Sequence, residues 1–259
     1  MARLAAVTLI VMALLACCAS AQNQPPSDPQ AVAYAAQSIA ALVGSTPISD
    51  LTLTGNVTWN GGVSGTGTAT LRALGTSESR MDLALTSGTR TEIRDAQTGT
   101  LIGKWLNPNN SSGMFAYQNC QTDAMWFFPA LGSLAAVRNV VLSYIGQETR
   151  NGEAVQHLQS YLYQPNQLPG PSSQQLSAMD FYLDATTFLP AAVTYNDHPD
   201  NDADTNLLVE VDFSNYQTVS GVLVPMHIQK YQQGNLTVDV VVTSASFNTG
   251  LSLSIFTVN

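Results

Sequence analysis

Charge is scarce in this sequence. Asp, Glu, Lys and Arg make up 10% of its 259 residues, with nine basic side chains against eighteen acidic ones. A formal net charge of −9 with so few Lys and Arg excludes the basic footprint that nucleic acid or anionic lipid headgroups require. Cysteine is scarcer still. Cys17 and Cys18 stand in the N-terminal segment, which leaves Cys120 alone. One cysteine makes no intramolecular disulfide, and Cys120 reads as a small buried apolar residue. There is no H-E-x-x-H, C-x-x-C or G-x-S-x-G pattern, and His157, His198 and His227 lie far apart. No catalytic residue and no cofactor is expected. Past the N-terminus, no run is long or apolar enough to cross a membrane as a helix.

The N-terminus is different. Met1-Ala2-Arg3 carries one positive charge, and Leu4 to Ala16 is apolar except for Thr8. That run is too short to span a bilayer and is the length of a signal h-region. Ala19-Ser20-Ala21 offers the small residues a signal peptidase needs, so residues 1–21 read as a signal peptide and 22–259 as one mature domain. Loss of Arg3 leaves eight basic against eighteen acidic residues, a net −10. A second reading stands beside the first: Leu14-Leu15-Ala16-Cys17 resembles a lipobox, in which cleavage precedes a lipidated Cys17. Either way the protein is expected to be exported, as a periplasmic or secreted form or as one lipid-anchored to the cell envelope. The anchor on Cys17 would be its only membrane contact.

Residues Ala31 to Val43 carry no charge and repeat Val32, Ala35, Ile39 and Leu42 at helical spacing. Asp28 is placed to cap, Pro29 stands first in the helix, and Gly44 stops it. The period then becomes two. Leu51 to Trp59 alternates apolar residues or Gly with polar ones, and Gly65 to Ala73 repeats this with Thr66, Thr68 and Thr70 outward. Met81–Leu85, Thr91–Arg94 and Leu101–Trp105 continue it, with turns at intervals of about ten residues. From 107 to 134 the alternation fails; Asp123 to Leu131 is apolar, and Pro129 rules out a long helix there. Two short helical turns over the sheet are expected. Strands resume at Val140–Glu148 and Ala154–Tyr163 around an Asn151-Gly152 hairpin. A Pro/Ser-rich loop over 164–173 follows. Then come Met179–Leu183, Ala192–Asn196, Leu207–Phe213, Val222–Tyr231 and Leu236–Phe247. The fold class is mainly β with α (α+β): about ten strands in a large, curved antiparallel sheet, a few helices covering its concave face.

Polar constellations are few. Asp197-His198-Pro199-Asp200-Asn201-Asp202-Ala203-Asp204 is the densest. Asp200, Asp202 and Asp204 are weak candidates for calcium, but Thr205 and Val211 stand where an EF-hand loop needs Gly and Glu. A solvated hairpin tip is the simpler reading, and no metal is expected. The apolar constellation is richer. Leu53, Val57, Leu83, Leu85, Trp126, Phe127, Val209, Val211, Phe213, Met226 and Ile228 are the candidates to line an apolar cavity. Such a cavity would hold acyl chains by burial worth roughly 0.8 kcal/mol per CH₂.

Between 180 and 230 the sequence holds local patterns: Phe181-Tyr182-Leu183-Asp184 leading to Leu189-Pro190, Val211-Asp212-Phe213-Ser214-Asn215-Tyr216, then Ser220-Gly221-Val222-Leu223-Val224-Pro225. In these, and in the order of its elements, the chain resembles the LolA/LolB-type lipoprotein carriers and their lipid-binding relatives. The resemblance implies a half-open β-barrel whose helices lid a hydrophobic cavity. It also implies a basic residue near the lid, to which none of Arg72, Arg90 and Arg94 is matched.

The leading expectation is therefore a non-enzymatic envelope protein of bacterial type that binds a lipid or acylated ligand, with lipid or lipoprotein transport as its finer form. The alternative is a sensor or scaffold binding an envelope partner protein through the same fold. An enzyme would need His198 and its neighbouring aspartates to converge with another polar group.

Overall fold

The computed structural model describes residues 24–120, 122, 126–129, 139–164 and 173–258. The expected signal peptide and Cys17 lie outside these residues, as do most of the 164–173 loop and much of the aromatic segment around Trp126.

Strict alternation over many short segments gives one thirteen-stranded sheet, antiparallel at every pairing. In chain order the strands are β1 (Asp50–Trp59), β2 (Gly65–Leu74), β3 (Glu78–Leu85), β4 (Gly88–Asp95), β5 (Ile102–Leu106), β6 (Ser112–Met114) and β7 (Val140–Arg150). They continue as β8 (Glu153–Leu162), β9 (Met179–Asp184), β10 (Pro190–Asp197), β11 (Leu207–Val219), β12 (Val222–Gln232) and β13 (Asn235–Phe247). Spatial order runs β6-β5-β4-β3-β2-β1-β13-β12-β11-β10-β9-β8-β7, so the sheet is a curved half-barrel whose edge strands are β6 and β7, the latter hydrogen-bonded along its outer edge by Gln24, Ser27 and Asp28. Register slips at Thr54/Gly55, Tyr144/Gly146, Pro190/Ala192 and Lys230/Tyr231 mark bulges, which bend and coil a sheet. At the β7–β8 hairpin, Asn151 and Gly152 both take positive φ (53° and 88°), as a two-residue turn requires.

The alternating segments account for twelve of the thirteen strands, against an expected total of about ten; the one without a counterpart is β6, whose three residues are too few to show a period.

One face of the sheet is dry. Leu51, Leu53, Val57 and Trp59 of β1 face the same side as Leu71, Leu83, Phe181, Val211, Ile228 and Val240 of other strands, in one continuous cluster. Over it lies α1 (Pro29–Val43), capped by Asp28, whose carboxylate accepts from the Gln30 amide, with Pro29 in the first turn and Gly44 at the end. The buried stripe is Ala31, Ala35, Ser38 and Leu42. The expected stripe put Val32 inside, but Val32 is 47% exposed. Three small side chains and Leu42 face the sheet.

The 180–230 patterns make turns and pairings that hold α1. Asp184 accepts from the Thr186 and Thr187 amides, and the Tyr216 hydroxyl donates to the Pro190 carbonyl (2.7 Å). This fixes Phe188, in a left-handed conformation (φ 59°), with its ring 5.2 Å from Tyr34 of α1. Of the two short helical turns expected between 107 and 134, α2 (Tyr117–Cys120) is one, and most of the segment after it lies outside the described residues; α3 (Ser173–Ser177) was not expected, and Cys120 is fully buried, as expected. The polypeptide after β13 crosses the outer face as a strap ending in a 3₁₀ turn (Leu253–Phe256) against β3 and β4. No helix among the described residues is long and apolar enough to cross a membrane.

Candidate functional site

Of the eleven expected cavity residues, Leu53, Val57, Leu83, Leu85, Trp126, Phe127, Val209, Val211, Phe213 and Ile228 are buried in the single inner-face cluster. Met226 is partly buried and packs against it. The structure thus brings all eleven together. Beneath α1 the layers touch: Ala31, Ala35 and Leu42 belong to the same cluster as the sheet residues. A cleft among the described residues lies at the other end of the inner face. The chain leaves α1 at Val43 and enters β1 at Asp50, whereas the cleft opens at Trp59, nine residue steps or roughly 30 Å along the strand.

This cleft has a volume of about 390 Å³, at the small end of the roughly 300–1,000 Å³ usual for ligand sites. Its apolar floor includes Met81, Val238, Phe115 and Trp126; its polar walls hold Arg90, Glu92, Asn107, Asp197, Lys230 and Gln232. Among the expected residues, Trp126 lines it. The polar wall was missed because β4 is inverted relative to a simple reading. Leu83 and Met81 of β3 pair with Arg90 and Glu92, and directly paired residues share a face, so the charged side chains point inward. Ile93 points outward, to the face that the C-terminal strap crosses. That strap has no signature within β4 itself. A run of Arg90, Glu92 and Arg94 at alternate positions is the signal that could have revealed a charged stripe.

The two walls are built alike. Arg90 lies with its guanidinium 4.2 Å from the centre of the Trp59 ring and donates to Glu92 (Nε–Oε1 3.1 Å) and to the Asn107 side-chain carbonyl. The side chains of Arg90 and Glu92 are each only 12% exposed. Opposite, Lys230 Nζ stands 5.1 Å from the Trp126 ring centre and 5.9 Å from that of Tyr195. Asp197 accepts from the Gln232 amide at 3.3 Å. Each cation therefore rests on an aromatic face, an attraction worth about 0.5–2 kcal/mol depending on desolvation. Trp59 depends on Gly61: a Cβ there would fall 2.6 Å from the indole, so only glycine leaves room for the ring.

The other polar candidates do not converge. His157 pairs with Asp180 (2.9 Å) and His227 with Asp239 (2.9 Å), side by side on the outer face. His198 is buried in the 197–205 loop; its Nδ1–H donates to the Thr205 carbonyl (3.0 Å), and Asn119 holds its backbone on both sides. Asp202 accepts from the Thr205 hydroxyl and from the amides of Asp204 and Thr205, bonds that hold its carboxyl below the usual carboxylate range. Asp202 thus serves the hairpin tip, and Asp200 and Asp204 are exposed beside it. No group of three or more metal-ligating side chains occurs among the described residues.

Elsewhere on the outer face, Arg72 and Arg80 clasp Asp82 (2.8 Å each), and Arg80 also donates to the Ile255 carbonyl of the strap. Burial pushes the Asp82 carboxyl up, but Arg80, Thr91 and Arg72 outweigh it and the net shift is downward. Asp212 is the reverse. Burial, then the charge and hydrogen bond of Glu210, push it up to about 6 against the opposing pull of Arg150.

A single open antiparallel sheet, lidded by a helix and ending in a half-polar cleft, defines a half-barrel class of protein. Within that class the fold is LolA-like. The chain superposes on an outer membrane lipoprotein-sorting protein domain from Vibrio parahaemolyticus with a TM-score of 0.57 and 16% identity, over 88% of this chain and 96% of that one. A DUF1329 family protein from Desulfovibrio piger matches with a TM-score of 0.51 and 11% identity, over 90% and 98%. A LolA superfamily protein from Nitrosomonas europaea matches with a TM-score of 0.50 and 9% identity, over 88% and 97%. No protein-family model and no curated protein matches the sequence. At these identities the likeness is one of fold.

Proposed function

We propose that this chain is an exported envelope protein that binds a lipid or an acylated ligand and performs no reaction on it. The observation that carries the reading is the cleft framed by Trp59 and Trp126, which opens at one end of the buried apolar layer on the inner face. Each methylene of an acyl chain that the cleft's Met81, Phe115, Trp126 and Val238 remove from water contributes roughly 0.8 kcal/mol and needs no directional partner. Support also comes from the likeness to the lipoprotein-sorting domain of Vibrio parahaemolyticus. The signal at residues 1–21 delivers the protein past the inner membrane. Cleavage after Ala21 frees it to carry a cargo; lipidation of Cys17 moors it.

Native mass spectrometry of protein purified without detergent tests this directly. The expected spectrum holds a population heavier than the chain by the mass of a lipid, and a fluorescent long-chain fatty acid quenches tryptophan emission on binding. A chain that carries no lipid and takes up no acyl probe refutes the reading. Capture of an envelope protein by such a lipid-free chain would favour the scaffold role instead.

A further inference from the structure

We infer that the cleft between Trp59 and Trp126 is a head-group subsite that favours a zwitterionic amphiphile, one whose head carries a cation and an anion together. The inference rests on the lipid-binding reading and adds the class of head to it. The cleft holds two cations, Arg90 and Lys230, and two anions, Glu92 and Asp197. The signs are arranged in pairs: Arg90 with Glu92 on one wall, Lys230 and Asp197 toward the other. A net anionic head entering such a lining meets as much repulsion as attraction, and a net cationic head does the same. A head with both charges can set each against its opposite. A part-enclosed site screens these interactions less than open water does. The cleft volume of about 390 Å³ suits a head and its first methylenes rather than a whole lipid.

The test holds the tail constant and varies the head. Binding of dodecylphosphocholine, dodecyl phosphate, dodecyltrimethylammonium and dodecyl maltoside to the full mature chain is measured below their micelle concentrations. The expected order places dodecylphosphocholine first by about fivefold or more, a margin of the size one uncompensated charge in a part-buried site produces. Glu92→Gln leaves Arg90 uncompensated and should shift the ratio of phosphocholine to phosphate affinity roughly tenfold toward phosphate. Arg90→Gln should shift it toward trimethylammonium. Should either variant misfold, Asp197→Asn and Lys230→Gln make the same pair of changes on the other wall. Equal affinity for all four heads, or a preference for the phosphate in the unmodified chain, overturns the head-group inference while leaving lipid binding intact. Failure of every dodecyl probe overturns the lipid-binding reading itself.

Discussion

Replacing Asp50 should release the C-terminal strap. Asp50 opens β1, is 2% exposed, and its carboxylate accepts four hydrogen bonds from residues some two hundred positions later. These are the Thr249 amide (2.9 Å) and hydroxyl (3.0 Å), the Gly250 amide (2.9 Å) and the Leu251 amide (3.4 Å). Hydrogen bonds to a charged acceptor contribute about 1.5–3 kcal/mol each, but the strap lies at the surface and water recovers part of that, so Asp50→Ala should cost roughly 2–4 kcal/mol in total. For a domain of this size that lowers the melting temperature by about 5–10 °C. Asp50→Asn keeps one acceptor oxygen but turns an amide toward backbone donors, and should cost about half as much. Burial pushes the Asp50 carboxyl up, yet the Thr249 and Gly250 amides prevail and the net shift is downward from 3.8. Its stabilisation is therefore complete above that value and is lost as pH falls through the lower folded one, a loss the Asn variant should not show. Urea unfolding gives the free energy, and hydrogen exchange at Thr249 to Leu251 locates it. A change below about 0.5 kcal/mol, with those amides still protected, would show that the carboxylate does not hold the strap.

Two other perturbations follow from the same physics. Asp212 has its pKa raised, so its contribution is fully present below the unfolded value of 3.8 and is lost as pH rises through about 6. Asp212→Asn should then stabilise the protein by roughly 1–2 kcal/mol at pH 8, after allowance for solvent screening, and by little at pH 4. An equal effect at both pH values would contradict the carboxyl pairing with Glu210. On α1, Ala35→Leu should cost about 1–3 kcal/mol by overpacking, whereas Val32→Leu on the exposed flank should stay within about 0.5 kcal/mol. Thermal unfolding of the two variants side by side checks which face meets the sheet.

Much of the fold was legible because its elements obey one period at a time. Asp28, Pro29 and Gly44 bound α1 where expected, and the alternation in β1, β11 and β13 assigns the buried face by itself. What failed was inference from apolarity alone. Val32 is larger than Ala31 and Ala35, yet faces solvent, because the helix turns the Ala31, Ala35, Ser38 and Leu42 stripe toward the sheet. In β4 the pairing with β3 turns Arg90 and Glu92 inward and Ile93 outward, to a face that the strap from the far end of the chain crosses. For the same reason the cleft was hidden: Trp59, Arg90, Trp126, Asp197 and Lys230 come from widely separated segments, and no local motif joins them. The buried cluster around Leu53, Leu83 and Val211 was readable because each member announces its face within its own strand.

The strand order has a consequence for how the molecule comes into being. Chain neighbours are sheet neighbours everywhere except between β6 and β7, and the meander closes on itself where β1 meets β13 across 179 to 196 residues of sequence. The last strand synthesised is thus the middle of the sheet. Until it arrives, six strands on the β1 side and six on the β12 side are two unjoined leaves, each with a raw edge at what will become the centre. As the chain emerges in N-to-C order, β1 must wait for β13 before its second neighbour exists. A protein cut short before β13 loses the hinge-line between its halves, and with it the curved wall on which Trp59 and Lys230 face one another.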